Sequence, residues 1–189
     1  IIYGQEAGIM MDRNLGAVSA TPGDPGALGL FYQWGRKDPF RGSSSINDNI
    51  FTETTIEWPG RMDSNSTNGT IEYAVSNPTT FISINYNNYD WYYTGETTTN
   101  NTRWNSTKTI YDPCPIGWRV PDGGTGNIWE KADFANTYIY DSNLKGYTFF
   151  NAQNSWYPLT GYLSYNYANL ESVGYDGGAW SCTPLNDHS

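Results

Sequence analysis

Tyrosines alternate with small polar residues from Gly161 to Asp176, in the run Gly-Tyr-Leu-Ser-Tyr-Asn-Tyr-Ala-Asn-Leu-Glu-Ser-Val-Gly-Tyr-Asp. The chemistry this composition serves is non-covalent recognition. Tyr162, Tyr165, Tyr167 and Tyr175 offer large contact area with little rotamer entropy to lose, while Asn166 and Asn169 adapt their hydrogen bonds. Glu171 and Asp176 add carboxylate acceptors. These eight residues form the candidate ligand-binding set, and the competing reading is a solvated β-loop with core tyrosines, since the chain holds 16 Tyr in all. Trp91, Tyr92 and Tyr93 form a second candidate platform, able to stack on the apolar C–H faces of sugar rings, or else to anchor their own segment in the interior.

Covalent chemistry finds fewer parts. Cys114 and Cys182 carry no local signature of a nucleophile, and the single histidine, His188, stands next to the last residue. A non-enzymatic protein is expected. One histidine with two distant cysteines has no zinc-ligand spacing, so no metal site is expected. Whether Cys114 and Cys182 are bridged or remain separate thiols is open at this level.

Composition narrows the partners. The formal charge is −9, with 10 Lys and Arg against 19 Asp and Glu, so no basic stripe exists to neutralise phosphates. Nucleic acid and anionic membrane surfaces are thereby excluded as expected partners. No apolar run reaches the roughly 18 residues of a spanning helix, and no signal peptide is evident. The chain starts at Ile1 and ends in a loop-like Asp187-His188-Ser189, which reads as a mature product or a piece of one. Aromatic residues make up 16% of the chain and charged residues only 15%, so the core must be aromatic and the surface must draw its polarity from Asn, Thr, Ser and Gly.

The elements that must position these residues are short. One domain spanning 1–189 is expected, with a Ser/Thr/Asn-rich insertion over 38–109 that carries short strands such as Thr79 to Ile84. An N-terminal strand is read up to Met11. The spacing of Leu28, Phe31 and Trp34 predicts a helix over 27–34, and Asn127 with Glu130 predicts an N-capped helix over 128–138. Further strands are predicted at 147–151, 157–162 and 178–183. In Asp112-Pro113-Cys114-Pro115-Ile116-Gly117-Trp118-Arg119-Val120-Pro121, three prolines force an extended, turn-rich backbone. Trp34, Trp118 and Trp180, each in a glycine- or proline-shaped motif, are assigned with Cys114 to the structural core. Arg36-Lys37-Asp38 is read as a source of local ion pairs. Four Asn-x-Ser/Thr triplets, at Asn65, Asn68, Asn100 and Asn105, are read as coincidences of an Asn/Thr-rich surface.

Several segments in order resemble a known family: Met11-Asp12-Arg13-Asn14-Leu15-Gly16-Ala17, Gly29 to Phe40, the proline motif, Leu159-Thr160-Gly161-Tyr162, and Val173 to Ser181. Together they resemble the Fibrobacter succinogenes major paralogous domain and its relatives in Bacteroidetes surface proteins. The resemblance implies an α+β, C-type-lectin-like fold, two helices with small twisted antiparallel sheets. It also implies a secreted or cell-surface setting, an adhesin-like role at a fimbrial tip, and a glycan, a surface protein or other fimbrial subunits as partners. A related group, the variable proteins of diversity-generating retroelements, diversifies the segment that corresponds to 159–189. A structural fimbrial subunit with no ligand of its own is the other alternative. Calcium accompanies true C-type lectins, but only Asp176, Asn186 and Asp187 stand as scattered oxygen donors, without the expected triplets, and no cofactor is assigned. The family continues with closing strands where this chain stops at Ser189.

Overall fold

Short strands and long ordered loops dominate the computed structural model, which describes residues 9–45, 60–84, 89–95, 102–128, 138–149 and 155–183. Strand β1 (Leu30–Tyr32) pairs antiparallel with β2 (Pro39–Arg41). Strands β3 (Gly60–Asp63) and β4 (Thr80–Ser83) pair in parallel. A three-stranded antiparallel sheet joins β5 (Tyr138–Asp141), β6 (Gly146–Phe149) and β7 (Ser155–Pro158). The last pair is the antiparallel hairpin β8 (Tyr162–Leu163) and β9 (Leu170–Glu171).

Among the described residues helix is limited to a 3-10 turn at Pro25–Ala27, the six-residue α1 (Ile71–Ser76) and the single helical residue Ile128. The expected α+β, C-type-lectin-like architecture with two helices is therefore corrected, over the described residues, to one of small sheets with almost no helix. The reason is local. Leu28, Phe31 and Trp34 do share a three-residue spacing, but Gly29 within that run and Gly35 just after it take left-handed backbone (φ +77 and +76) that interrupts a helix, and Leu30–Tyr32 between them forms β1. Of the expected helix over 128–138 only the ends are described: Ile128 is helical, as expected, and Tyr138 instead opens β5. No strand forms over 178–183.

Helix α1 is the crossover that a parallel β3–β4 pair requires. Thr70 caps it, its Oγ1 accepting from Tyr73 N at 3.1 Å, and Asn77 ends it before Pro78. Its far end is closed by Arg36, which is buried and not a surface ion-pair residue as its neighbours Lys37 and Asp38 had implied. The guanidinium donates to the carbonyls of Thr80 (2.8 Å), Pro78 (3.4 Å), Ala74 and Asn77 (both 3.5 Å), and to Gln33 Oε1 at 2.7 Å. Burial pulls its pKa down to about 10, with Asp38 opposing, so it is still a cation at neutral pH beside the negative end of α1.

The described parts of 38–109 supply buried residues to the interior. Trp104 packs against Trp34 (ring centroids 5.7 Å apart), with Val120 and Cys182 in the same buried group. Trp91 joins Ala74 and Ile82 beneath α1. Next to both groups lies a buried ion pair in which Arg103 donates to Asp90 Oδ1 at 2.7 Å and Oδ2 at 2.5 Å.

Asp112, buried just ahead of the prolines, organises the proline motif. Its Oδ1 accepts from Lys108 Nζ (2.9 Å) and Cys114 N (2.8 Å), and its Oδ2 accepts from Val120 N (2.9 Å). A carboxylate can thus pin a segment whose prolines donate nothing. Burial works against its charge, but Lys108 and the two backbone N–H groups outweigh it and hold the pKa below the ordinary 3.8. A lowered folded-state pKa stabilises the fold above 3.8, and that contribution fades as pH falls through the lowered value. Asp112→Asn, which keeps size but turns one of the two acceptor oxygens into a donor facing either Val120 N or Cys114 N and Lys108 Nζ, is expected to cost about 1–3 kcal/mol at pH 7 and to flatten the acid limb of stability. Urea melts at pH 7 and pH 3 check this, and an unchanged acid limb would contradict it.

Candidate functional site

The tyrosine-rich segment is fixed from beneath. In the β8–β9 hairpin Leu163 faces Leu170 on the inner side, where Leu163 packs with Phe40, Phe81 and the methyl of Ala168. Tyr162 and Glu171 oppose each other on the outer side, and the tyrosine hydroxyl donates to Glu171 Oε2 at 3.1 Å. The loop closes through Ser164 N to Asn169 O (2.8 Å) and Ala168 N to Ser164 O (2.9 Å), with Ala168 in left-handed backbone at φ 58. Tyr165, Asn166 and Tyr167 form the tip. Arg61 of β3 secures it, its Nε donating to Asn166 O and its guanidinium lying 5.6 Å from the centroid of the Tyr167 ring.

The second part of the segment is braced separately. Gly161 N donates to Asp176 O and Gly174 N to Leu159 O, both at 2.8 Å, while the N–H groups of Tyr175 and Asp176 both reach Ser172 O at 3.0 Å. Gly161 can only be glycine here, at φ +75 with its would-be Cβ overlapping Glu171 O. The tight turn sends Tyr175 outward, with Lys145 Nζ 5.7 Å from its ring centroid.

Tyr175 and Asp176 form one wall of a cleft of about 530 Å³, and the facing wall is the β5–β7 sheet. Register explains that wall. Tyr140, Tyr147 and Tyr157 stand opposite one another across the three strands, and Tyr138 stands opposite Phe149, so the aromatics share one sheet face. Their rings meet at 5.2 Å (Tyr138 to Tyr147), 5.3 Å (Tyr140 to Tyr147) and 5.6 Å (Phe149 to Tyr157). The opposite sheet face packs inward through Trp156, which covers Gly146 and meets Ala27, Leu28 and Leu144.

The eight sequence candidates therefore occupy two stations. Tyr162, Tyr165, Asn166, Tyr167, Asn169 and Glu171 belong to the hairpin, while Tyr175 and Asp176 belong to the cleft. Tyr162, Tyr165, Tyr167 and Tyr175 are between 42% and 62% exposed. The Trp91, Tyr92 and Tyr93 platform is corrected: Trp91 is 4% exposed, its Nε1 donates to Trp34 O at 2.7 Å, and Arg103 lies against its ring and that of Tyr92. Trp91 and Tyr92 anchor their segment, their rings lying against the buried guanidinium, and Tyr93 is half-buried.

Two core assignments also change. Trp34 is buried and Cys114 packs at the edge of the same group, but Trp118 is 37% and Trp180 49% exposed. Both line a smaller cleft of about 210 Å³ between the N-terminal segment and the proline motif. The prolines direct Trp118 to the surface, and Trp180 is held by its Nε1 donating to Tyr32 O at 2.8 Å with its edge against Trp104. Trp104, which sequence reading passed over, occupies the interior instead. Tyr138, Tyr147 and Tyr157 were also missed. Their signal was strand alternation, as in Tyr-Ile-Tyr at 138–140 and Tyr-Thr-Phe at 147–149.

Neither thiol is poised for chemistry. Both cysteines are free, and burial first, then the charge of Asp112, pushes Cys114 up to about 12. Cys182 is pushed up to about 11 by burial and by its hydrogen bond to Asp122. Among the described residues no three His, Cys, Asp or Glu side chains converge on a cation site, and His188 lies outside them. No described helix is long and apolar enough to cross a membrane.

The geometry defines a domain of small sheets and braced loops with a tyrosine-bearing surface. Compared with known proteins, the chain matches no family model, no curated protein and no solved structure.

Proposed function

We propose that this chain is a non-enzymatic binding module of a secreted or cell-surface protein, adhesin-like, which takes a glycan or protein ligand on its tyrosine-rich C-terminal surface. One observation carries the reading: four exposed tyrosines sit on a backbone fixed by hydrogen bonds and by inward-facing Leu163, Leu170 and Ala168. Large aromatic side chains held out on a rigid support lose little entropy on binding, which is the economy that recognition surfaces exploit. The acidic charge of −9 favours neutral or basic partners over polyanions. The order of the motifs supports kinship with the Fibrobacter succinogenes major paralogous domains and so a surface or fimbrial-tip parent protein, without the two-helix architecture first attached to them.

The test is an array of glycans and extracellular proteins probed with the intact chain and with a Tyr165→Ala, Tyr167→Ala, Tyr175→Ala variant. The expected result is specific binding by the first and its loss in the second. Equal binding by both chains would remove the tyrosine surface from the account.

A further inference from the structure

We infer that the cleft between the tyrosine face of β5–β7 and the Tyr175–Ala179 segment is the seat of a neutral oligosaccharide. The inference rests on the chain being a binding module and assigns that module a second set of contact residues. Its lining combines Tyr138, Tyr147, Tyr157 and Tyr175 with the carboxylate of Asp176 and the amide of Asn14. Pyranose rings match such a lining: their C–H faces are apolar and faintly positive against the negative π-face of tyrosine, and their hydroxyls are shared between tyrosine hydroxyls, an amide and a carboxylate. A volume of about 530 Å³ lies in the range of roughly 300–1,000 Å³ in which ligand clefts fall.

Charge selects among ligands of that size. Among the described residues no Lys, Arg or His lines the cleft, Asp176 stands on one wall, and Lys145 Nζ lies 5.7 Å from the ring centroid of Tyr175. An acidic sugar or a phosphate would meet the carboxylate of Asp176 in a chain of net charge −9, which disfavours anions there. The rings are also held in advance. Tyr147 is flanked by Tyr138 and Tyr140 at 5.2 and 5.3 Å, and the Tyr157 hydroxyl donates to Met11 O at 2.8 Å. An aromatic wall fixed this way gives a stacking surface whose ordering cost has been met by folding.

The experiment is calorimetric titration of the intact chain with cellohexaose, maltohexaose, xylohexaose and mannohexaose, with sialyllactose and choline as anionic and cationic probes. At least one hexasaccharide should bind saturably, sialyllactose should not, choline, too small to fill a cleft of about 530 Å³, should bind more weakly than that hexasaccharide, and Asp176→Asn should weaken saccharide binding by about tenfold or more through loss of charge-assisted hydrogen bonds. Tyr147→Ala should do the same, its melting temperature showing that the sheet persists. Asp176 is exposed, so its variant keeps the question answerable if Tyr147→Ala unfolds. Binding by none of the hexasaccharides at millimolar concentration, or by choline or sialyllactose in their place, overturns the inference. Saccharide binding that Asp176→Asn leaves intact but Tyr165→Ala with Tyr167→Ala abolishes also overturns it, placing the seat on the hairpin while the binding-module reading stands. A protein hit on the array with no saccharide bound has the same consequence.

Discussion

Asp90→Ala is expected to cost about 3–5 kcal/mol of folding stability, because it strands the guanidinium of Arg103 in the interior. Arg103 is 1% exposed and Asp90 3%, so water screens the pair very little. The guanidinium carbon lies 4.8 Å from the ring centroid of Trp91 and 5.2 Å from those of Trp34 and Tyr92, and these faces supplement the carboxylate. They do not replace it, for among the described residues Nε and Nη1 of Arg103 already have no hydrogen-bond partner. Removing Asp90 leaves a charge that neither solvent nor rings can satisfy. Denaturant melts would show a lower midpoint, little changed between low and high salt, and a loss under about 1 kcal/mol would contradict a buried, coupled pair. Arg103→Met placed on Asp90→Ala should recover part of the loss, since an apolar side chain in that aromatic surround asks for no counter-ion.

Gly35→Ala should be nearly as damaging, at about 2–5 kcal/mol. Gly35 takes φ +76, where a Cβ costs about 1–2 kcal/mol on backbone grounds alone. That Cβ would also overlap Arg103 Nε and stand 2.9 Å from its Cβ and 3.0 Å from its Cδ, contacts that only movement of the ion pair can relieve. Overpacking of this kind adds about 1–3 kcal/mol. Gly124→Ala provides the comparison, since Gly124 also has a left-handed φ of +84 but meets nothing within 4 Å. The two variants should therefore differ by the overpacking part, and equal losses would mean that Arg103 yields freely.

What the sequence made legible followed from local chemistry. The aromatic and β-branched run Thr79 to Ile84 marked a strand where β4 stands, and the Tyr, Ser, Asn and Gly of 161–176 marked a loop-rich segment, four of whose tyrosines are exposed. What it hid depended on long-range partners. Trp91 and Trp180 are the same residue type in similarly polar segments, yet Trp91 is drawn inside by a guanidinium from 12 residues downstream while Trp180 is left at a cleft rim. The helix read over 27–34 failed because apolar spacing was counted without the left-handed glycines within and just after it. The cleft itself was invisible, since it exists only when β5, β6 and β7 align their tyrosines in register and the 175–179 segment folds opposite them. Asp112 reads as one acid among 19 Asp and Glu until Lys108, Cys114 and Val120 are seen to converge on it.

In the proposed function, exposed tyrosines on a rigid support do the binding and contribute little to folding. Its most direct test pairs two readouts on the Tyr165→Ala, Tyr167→Ala, Tyr175→Ala variant: affinity for the strongest array ligand of the parent chain, and melting temperature. The account predicts an affinity loss of about 100-fold or more, as truncating central aromatic contacts produces, with the melting temperature close to that of the parent chain. An affinity equal to the parent's, or a loss matched by a collapse in melting temperature, would contradict it.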